Sequence, residues 1–337
     1  MLQIVLEKPG SFSAVDVTEP KPAPGEALVR VHRVGVCGTD LHAFAGKQPF
    51  FSYPRVLGHE LGVEVVDPGS EPHGLKVGDR CSVEPYVNCG RCVACRRGKP
   101  NCCSELKVLG VHADGGMRPL FALPARKLHR SAKLGFEQLA LVETLGIGAH
   151  AVERAALQRD DFVVVIGAGP IGLSVIQFAL VSGATVAVMD VSETRLTFCR
   201  EKLGVRHVVT AGAEAANALK AIGGGDLPNV VIDATGNPKS MAGTFELAAH
   251  GGRIVFVGLF QGDLTFNDPN FHRRELTVSG SRNSLPQTFR DIIALVEAGK
   301  VDTSPWITHR FALADTPRVF PTEIAGNPAV LKAMIEV

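Results

Sequence analysis

The sequence predicts an α/β protein in which a doubly wound parallel sheet is joined to a second, β-rich region. The chain has 337 residues, which is enough for about two domains. Strand and helix patterns alternate from about residue 144, as is typical of a parallel sheet. Before that point, short runs of alternating apolar residues are separated by glycine and proline, as is typical of strands joined by turns.

The elements of the first region follow from residue alternation. Ala27, Val29 and Val31 form one apolar alternation, and Val63 and Val65 belong to another. Alternation with a period of two predicts strands that are buried on one face. We therefore expect a first domain over 1–143 that includes a cysteine-rich lobe at about 85–107.

The second region carries the parallel sheet. Apolar runs and turn residues predict strands at 163–166, 185–189, 208–209, 230–232, 254–257 and 276–279, with one helix ending near 182, one starting near 194 and one over 289–298. This pattern defines a domain over 144–286. The remaining segment, 287–337, is shorter and mixed in character, and we expect it to return to the first domain.

Charge and hydropathy exclude several classes of function. Lysine and arginine number 35 against 34 acidic residues, so the net charge is +1 and offers no basic field to nucleic acid. The uncharged run 162–189 is interrupted by glycines and a proline, which argues against a membrane span. The N-terminal residues lack the features of a signal peptide. We therefore expect a cytoplasmic protein that binds neither nucleic acid nor membrane.

A glycine-rich turn lies between the first predicted strand of the second region and the following helix. It reads Gly167-Ala168-Gly169-Pro170-Ile171-Gly172. Glycines at these positions allow a tight turn and let backbone N–H groups approach a pyrophosphate at the helix N-terminus. The strand before it and the helix after it are the context that this motif requires. The turn therefore predicts a dinucleotide-binding site, although an ordinary strand-to-helix turn remains the alternative.

The choice of dinucleotide depends on Asp190, which ends the next strand 18 residues after Gly172. A carboxylate there accepts hydrogen bonds from the adenosine ribose and repels a 2′-phosphate, so NAD is favoured over NADP. Val191 supplies no compensating positive charge. Arg195 fits a guanidinium that lies over the adenine or in solvent better than one that captures a phosphate.

The cysteines are concentrated in one segment. Cys89, Cys92, Cys95 and Cys103 can enclose a tetrahedral Zn²⁺, and four thiolates leave no open position, so such a site is structural. The spacing differs from that of an iron–sulfur cluster in its last interval and lacks the following proline. Cys102 can substitute for Cys103 on spacing alone, and reduced cysteines without metal remain the alternative. A lone cysteine elsewhere, Cys199, is expected in the core.

A second set of potential ligands lies upstream. Cys37, His59 and Glu60 supply a thiolate, an imidazole and a carboxylate, the mixed set that holds a catalytic Zn²⁺ with one position open. Adjacent residues on an extended chain point in opposite directions. His59 and Glu60 can therefore both bind only if the backbone bends, and otherwise Glu60 lies behind the first ligands.

These motifs together resemble those of the zinc-dependent medium-chain alcohol dehydrogenases. The run from Gly35 to His42, the Gly58-His59-Glu60 run, the four-cysteine lobe and the glycine turn occur in the family's order. The sequence is most similar to the branch that includes polyol, threonine and sugar-acid dehydrogenases. The resemblance implies a GroES-like, β-rich catalytic domain, a Rossmann NAD-binding domain, and Glu143 in place of the third protein ligand of the liver-type enzymes.

What the resemblance implies about chemistry is an NAD-linked oxidation of a secondary alcohol. A catalytic zinc lowers the pKa of the substrate hydroxyl so that hydride passes to the nicotinamide, and a second zinc is structural. The family's proton path matches Thr39, a ribose hydroxyl and His42. Thr39 and Asp40 can also cap the helix that begins there. The resemblance further implies a small-molecule substrate and a homo-oligomer, either a dimer or a tetramer.

Formal charge limits how Glu143 can take part. A zinc dication with the Cys37 thiolate and the Glu60 carboxylate is neutral and has room for one alkoxide. Binding Glu143 as well would make the group negative and oppose formation of the alkoxide. We therefore expect Glu143 to swing away or to bind through water.

The substrate and two alternative functions stay open at this point. The expected substrate is a polyol or a hexonate-like sugar acid, with L-threonine or another secondary alcohol as the alternative. A non-catalytic sensor of NAD would need an inactive metal site, and a zinc-free quinone reductase would lack these ligands. Candidate residues of the substrate pocket are Phe50, Phe51, Tyr53, Glu84, His112 and Arg282.

Overall fold

The computed structural model describes residues 1–49 and 51–337, so Phe50, one of the candidate pocket residues, lies outside the described residues. The chain divides into two compact units. One consists of Met1–Thr144 together with Leu285–Val337, and the other of Leu145–Ser284. None of the helices in the described ranges combines the length and the apolar character needed to cross a membrane.

The first unit is built mainly from antiparallel strands. Its strands before the second unit are β1 (Leu2–Lys8), β2 (Ser11–Asp16), β3 (Glu26–Gly35), β4 (Glu60–Asp67), β5 (Arg80–Val83), β6 (Tyr86–Val87), β7 (Lys107–Val108), β8 (Leu120–Pro124) and β9 (Leu128–Arg130). Its helices there are α1 (Gly38–Phe44), α2 (Val93–Arg96) and α3 (Phe136–Arg154), the last of which continues into the second unit.

The second unit alternates strands and helices. The strands are β10 (Phe162–Ile166), β11 (Thr185–Asp190), β12 (His207–Thr210), β13 (Val230–Asp233), β14 (Arg253–Phe256) and β15 (Thr277–Gly280). The helices are α4 (Pro170–Ser182), α5 (Glu193–Leu203), α6 (Ala215–Ile222), α7 (Pro238–Leu247) and α8 (Asp268–Arg273). The chain then returns to the first unit with α9 (Pro286–Glu297), β16 (Ile307–Ala312), α10 (Thr316–Val319) and β17 (Lys332–Glu336).

The sheet of the second unit has the predicted doubly wound topology. All of its strand pairs are parallel, in the order β12-β11-β10-β13-β14-β15. The central strand β10 is an unbroken apolar run in which Val163, Val164 and Val165 are fully buried. Helices cover both faces of such a sheet, so its strands do not alternate between apolar and polar residues. The fold class predicted from the sequence is confirmed.

The main sheet of the first unit runs in the order β16-β17-β3-β4-β5-β9, and β8 pairs with the N-terminal half of β3. The alternation read from the sequence is present here, because Ala27, Val29 and Val31 on β3 are all buried. The C-terminal end of β3 lies between β4 and β17. The sheet therefore brings residues from three distant parts of the chain to one place, beside Gly35.

The start of one helix differs from its prediction, and the helix that carries Glu143 was not predicted. The helix expected from residue 289 begins at Pro286, since proline is well suited to the first turn of a helix. Helix α3, which carries Glu143, was not predicted. Its central residues Leu139 to Val142 are fully buried, so the helix has no polar face whose period would have indicated it.

Candidate active site and metal centres

The three upstream ligand candidates form one group in the structure. Cys37 precedes α1 as its N-cap residue, and Glu60 begins β4 directly after His59. One potential ligand atom from each residue lies within 4.8 Å of those of the other two. His59 and Glu60 are buried, and Cys37 is half-buried. A thiolate, an imidazole and a carboxylate thus face one point at the end of the sheet.

The position of Glu60 depends on a close approach to β3. Gly35 is its partner in the register of β3 and β4, and a Cβ added to Gly35 would lie 2.0 Å from the Glu60 Oε2 atom. Only glycine leaves room for the carboxylate to pass over β3 toward Cys37. Of the two arrangements considered from the sequence, the structure has the one in which His59 and Glu60 both face the group.

Asp40 connects the start of α1 to His59. One carboxylate oxygen accepts a hydrogen bond of 2.9 Å from the Cys37 backbone N–H, as expected for a helix cap. The other lies 3.8 Å from the His59 Nδ1 atom, and neither of these two buried atoms has a hydrogen-bond partner. A carboxylate behind a metal-binding histidine orients its ring. From the sequence, Asp40 was expected only to cap the helix.

The negative charge of the group is visible in the pKa of His59. Burial alone would lower this pKa, but the Cys37 thiolate and the Asp40 carboxylate raise it well above its usual value. The negative groups around His59 therefore favour a positive charge at this position, which a proton or a metal ion can supply. The donor set of Cys37, His59 and Glu60 fits a zinc ion.

A lysine that the sequence analysis did not consider also contacts this group. The Lys332 Nζ atom, on β17, lies 2.5 Å from the Glu60 carboxylate and donates a 3.0 Å hydrogen bond to the Val36 carbonyl. Both side chains are fully buried. Burial alone would lower the pKa of Lys332, but Glu60 and Cys37 raise it, so the lysine remains charged.

Glu143 lies near the group but is not one of its members. It is buried on α3, and one carboxylate oxygen, Oε1, accepts a short hydrogen bond from the Tyr86 hydroxyl. Burial raises the pKa of the Glu143 carboxyl, while His59 acts to lower it. Among the described residues, the groups of close ligand atoms include Cys37, His59 and Glu60 but not Glu143.

The expected place of Glu84 in the substrate pocket is not supported. Glu84 is buried, and its two oxygens are paired with the Lys127 Nζ atom and, at 3.1 Å, with the His129 Nε2 atom. The His129 ring stacks on Phe289 with 5.0 Å between ring centroids. Lys127 directly precedes β9, His129 lies on β9 and Phe289 lies on α9, so the sequence near Glu84 gave no indication of them.

The other candidate pocket residues have different surroundings. The Tyr53 hydroxyl donates to the Ala43 carbonyl, and its ring packs edge-on against Phe51. The His112 Nδ1 atom accepts a hydrogen bond of 3.1 Å from the Val108 N–H. A neutral His112 ring therefore carries its proton on Nε2 and presents a donor there.

The four-cysteine segment closes on itself as predicted from its spacing. Sulfur atoms of Cys89, Cys92, Cys95 and Cys103 lie within 4.8 Å of one another, whereas Cys102 is exposed and outside this group. Backbone N–H groups, first among them that of Cys95, lower the pKa of the Cys92 thiol to about 5. Such donors favour thiolates, so this donor set fits a structural zinc ion.

The glycine-rich turn occupies the position expected for a dinucleotide site, between β10 and α4. Gly167 has a φ of +94°, and a Cβ on Gly172 would lie 1.7 Å from the Gly167 carbonyl oxygen. A Cβ on Gly169, the N-cap of α4, would meet no atom within 4 Å. The first and third glycines therefore shape the turn, and the second leaves open space where a phosphate can approach.

This difference predicts opposite results for two alanine variants. Gly172→Ala is expected to lower the free energy of unfolding by about 1 to 3 kcal/mol, because the added carbon forces the turn apart. Gly169→Ala should leave stability within about 0.5 kcal/mol of the wild type but weaken NAD binding about tenfold or more, because the methyl group fills the cofactor's space. Urea unfolding measures the stability of each variant, and titration with NAD followed by fluorescence measures its cofactor affinity. Equal loss of stability in the two variants would contradict the assignment.

Asp190 also has a local role at the turn. Its Oδ2 atom accepts a hydrogen bond of 2.6 Å from the Ala168 N–H, and its Oδ1 atom accepts one of 2.8 Å from the Ser192 N–H. The carboxylate thus fixes the glycine-rich turn and retains lone pairs for a ribose. Arg195, on α5, is half-buried and close enough for Asp190 to act on its pKa, which burial lowers.

Thr39 and His42 lie on α1 directly after Cys37. Thr39 is half-buried and His42 is exposed. Residues three apart on a helix share a face. The helix therefore places a half-buried hydroxyl two residues after Cys37 and an exposed imidazole on the same face.

Comparison with known families supports the interpretation of both units. Residues 23–133 match the family described as alcohol dehydrogenase GroES-like domain, and residues 170–298 match the one described as zinc-binding dehydrogenase. These two matches cover most of each unit. They agree with the resemblance inferred from the motifs.

Curated relatives match almost the whole chain. The L-galactonate-5-dehydrogenase of Escherichia coli K12 is 42% identical over 94% of this chain and 93% of its own length. The L-threonine 3-dehydrogenase of Pyrococcus horikoshii is 33% identical over 92% of this chain and 91% of its own.

Solved structures share the fold over the whole chain. A short chain alcohol dehydrogenase from Escherichia coli CFT073, complexed with NADH, is 30% identical with a TM-score of 0.90 and covers 100% of this chain and 99% of its own. A zinc-binding dehydrogenase from Sinorhizobium meliloti 1021, bound to NADP, is 29% identical with a TM-score of 0.89 over 100% and 99%. The chain belongs to the zinc-dependent medium-chain alcohol dehydrogenases, and its family uses zinc and a nicotinamide dinucleotide.

Proposed function

We propose that this dehydrogenase oxidises a secondary hydroxyl of a sugar acid or polyol to a ketone, with NAD as the hydride acceptor. The observation that carries the proposal is that potential ligand atoms of Cys37, His59 and Glu60 lie within 4.8 Å of one another. The Glu60 carboxylate in this group is paired with Lys332. When zinc is bound there, it supplies Lewis acidity toward a substrate hydroxyl. The four cysteines of the lobe would hold a second, structural zinc.

The chain's own residues account for the remaining requirements of the reaction. Asp40 holds the helix start and the His59 ring, so the position of both ligands depends on one buried carboxylate. Lys332 offsets the charge of Glu60, which limits the negative charge that a substrate alkoxide would meet. Thr39 and His42 would carry the hydroxyl proton outward along the exposed face of α1.

A sugar acid is favoured over a simple alcohol by the chemistry of the relatives. The L-galactonate-5-dehydrogenase at 42% identity acts, by its name, on a secondary hydroxyl of a hexonate. The exposed Arg282 and the His112 donor are candidate partners for the substrate carboxylate. L-Threonine is the second candidate, because a threonine dehydrogenase is also among the relatives.

A substrate screen with NAD tests this proposal. We expect L-galactonate or another hexonate to give the highest kcat/KM, with the uncharged alditol next and L-threonine lower. Ethanol should be at least about a thousandfold poorer, because a site built for several hydroxyls leaves polar groups unpaired with an analogue that lacks them. Arg282→Met is expected to reduce the preference for the hexonate over its alditol.

The screen can contradict the proposal in two ways. A primary aliphatic alcohol as the best substrate would rule out the sugar-acid and polyol class. Equal rates for a hexonate and its alditol would leave a polyol dehydrogenase and exclude the carboxylate contact. A chain that binds NAD but turns over none of these alcohols would instead be a sensor.

The choice of NAD over NADP rests on Asp190. Asp190→Ala is expected to weaken binding of both cofactors, because it frees the Ala168 N–H and loosens the turn, and to narrow the preference for NAD. Asp190→Asn is the matched control, since it removes the charge but keeps one acceptor oxygen. It should narrow the preference with a smaller loss of NAD affinity. Cofactor titrations measure both ratios, and a wild-type enzyme that prefers NADP would overturn the assignment.

The expected oligomer and compartment remain proposals. The edge strand β15 exposes Val278 and lies at the end of its sheet, a feature that is commonly covered by another chain. This supports a homo-oligomer, a dimer or a tetramer, which sedimentation would measure. All eight cysteines are free of disulfides, which supports a reducing compartment such as the cytoplasm.

A further inference from the structure

The hydrogen bond between Tyr86 and Glu143 has a role beyond local packing. Both residues are buried, and the phenol donates to Oε1 of the carboxylate. Cys37, His59 and Glu60 form the close group of ligand atoms, which does not include Glu143. Glu143 nevertheless acts on the pKa of His59, so its charge is felt at the group. A buried carboxylate whose charge acts on His59 is a potential further ligand for a cation at this group, and its hydrogen bond to Tyr86 opposes that binding.

The structure fixes the phenol from two sides. Tyr86 lies on β6, where it pairs with Val108 of β7, and its ring packs edge-on against Phe289 with 6.3 Å between centroids. Cys89 follows β6 almost directly, and Cys103 shortly precedes β7. The two strands therefore form the base of the four-cysteine lobe. Because backbone pairing and ring packing leave the Tyr86 side chain little freedom, its hydroxyl is a fixed anchor for Glu143.

We propose that Tyr86 is a positioning residue that restrains Glu143, so that this carboxylate does not close the coordination position needed by the substrate hydroxyl. With Oε1 engaged by the phenol, Glu143 has only its other oxygen to offer. Glu143 bound to zinc together with Cys37, His59 and Glu60 would complete a tetrahedral set and leave no open position for an alkoxide, and the restraint prevents this. The inference rests on the proposed zinc site at Cys37, His59 and Glu60.

The test is a double-mutant cycle of Tyr86→Phe and Glu143→Gln, read out by zinc affinity at the reactive site through competition with a chelator. Tyr86→Phe removes the anchor without changing the ring. The freed carboxylate then needs a cation, so zinc affinity is expected to rise about tenfold and kcat/KM to fall about tenfold to a hundredfold, with the KM for NAD unchanged. In the Glu143→Gln background, where no carboxylate is released, Tyr86→Phe should change zinc affinity less than twofold.

Tyr53→Phe is the matched control, since Tyr53 is the other tyrosine of the sequence and its hydroxyl donates to the Ala43 carbonyl. It is expected to leave zinc affinity unchanged. Unchanged or weaker zinc binding in Tyr86→Phe, or the same effect with and without Glu143, would overturn the inference. Zinc affinity is measured without substrate. If the substrate proposal were wrong, the enzyme would show no turnover while the zinc affinities of the four proteins still changed as expected. That result is distinguishable from a failure of the inference about Tyr86.

Discussion

Replacing Cys37 by serine is expected to reduce kcat/KM by about a thousandfold or more and to lower the zinc content from about two ions per chain to about one. The Cys37 sulfur is the soft, negatively charged member of the group with His59 and Glu60. A serine hydroxyl does not ionise at neutral pH and binds zinc weakly. The expected loss corresponds to several kcal/mol of transition-state stabilisation by the metal. Elemental analysis and steady-state kinetics on the purified variant measure both quantities.

Cys102→Ser is the matched control for this experiment. Cys102 is exposed and lies beside the four-cysteine group without belonging to it. The control should retain both zinc ions and full activity. A Cys37→Ser enzyme that kept two zinc ions and normal turnover would show that Cys37 does not hold the catalytic zinc.

The parts of the site that the sequence predicted are those whose members lie close together in the chain. The four lobe cysteines fall within fifteen residues, and the glycine turn is a single hexapeptide between a strand and a helix. In such segments the spacing itself restricts the geometry. Cys37, His59 and Glu60 were grouped by the chemistry of their side chains, and the sheet brings them together through the pairing of β3 with β4.

The parts that the sequence did not predict depend on contacts across the chain. Lys332 lies 272 positions from Glu60, and Tyr86 lies 57 from Glu143. A buried ion pair leaves only a weak mark in the sequence, which here is one lysine within the apolar run around Met334. Such a residue would have been recognised only by asking which charge offsets Glu60.

Contacts across the chain also explain why one residue, Glu84, was predicted wrongly from the sequence. A glutamate near the metal ligands in sequence was interpreted as a substrate contact, but the fold encloses it with Lys127 and His129. Burial removes such a group from substrate as effectively as distance does. The acceptors available to a polyhydroxylated substrate must therefore be sought outside Glu84, which is why the substrate screen matters more than the number of carboxylates.

The buried pair of Lys332 and Glu60 predicts a large effect on stability that depends on zinc. Lys332→Met is expected to lower the free energy of unfolding of the chelator-treated protein by about 3 to 5 kcal/mol, because the Glu60 carboxylate would remain buried without its cationic partner. With zinc restored, the loss should be smaller, since the ion supplies a second positive charge to the same carboxylate. Urea unfolding of the wild type and the variant, each with and without zinc, measures the two losses of stability. Chelation removes zinc from the four-cysteine lobe of both proteins alike, so that contribution cancels when the variant is compared with the wild type.

Two controls identify the cause of that loss. Lys202→Met, at an exposed position on α5, should change stability by less than about 0.5 kcal/mol. Adding Glu60→Gln to Lys332→Met should recover most of the lost stability in the chelator-treated protein, because the uncompensated charge is then gone. A Lys332→Met protein that unfolds at the wild-type urea concentration, with or without zinc, would show that Glu60 does not depend on this lysine. A smaller loss of stability with zinc than without it would mean that the carboxylate paired with Lys332 is also the one that faces the metal. The stability of the β3–β4–β17 junction would then depend directly on the reactive site.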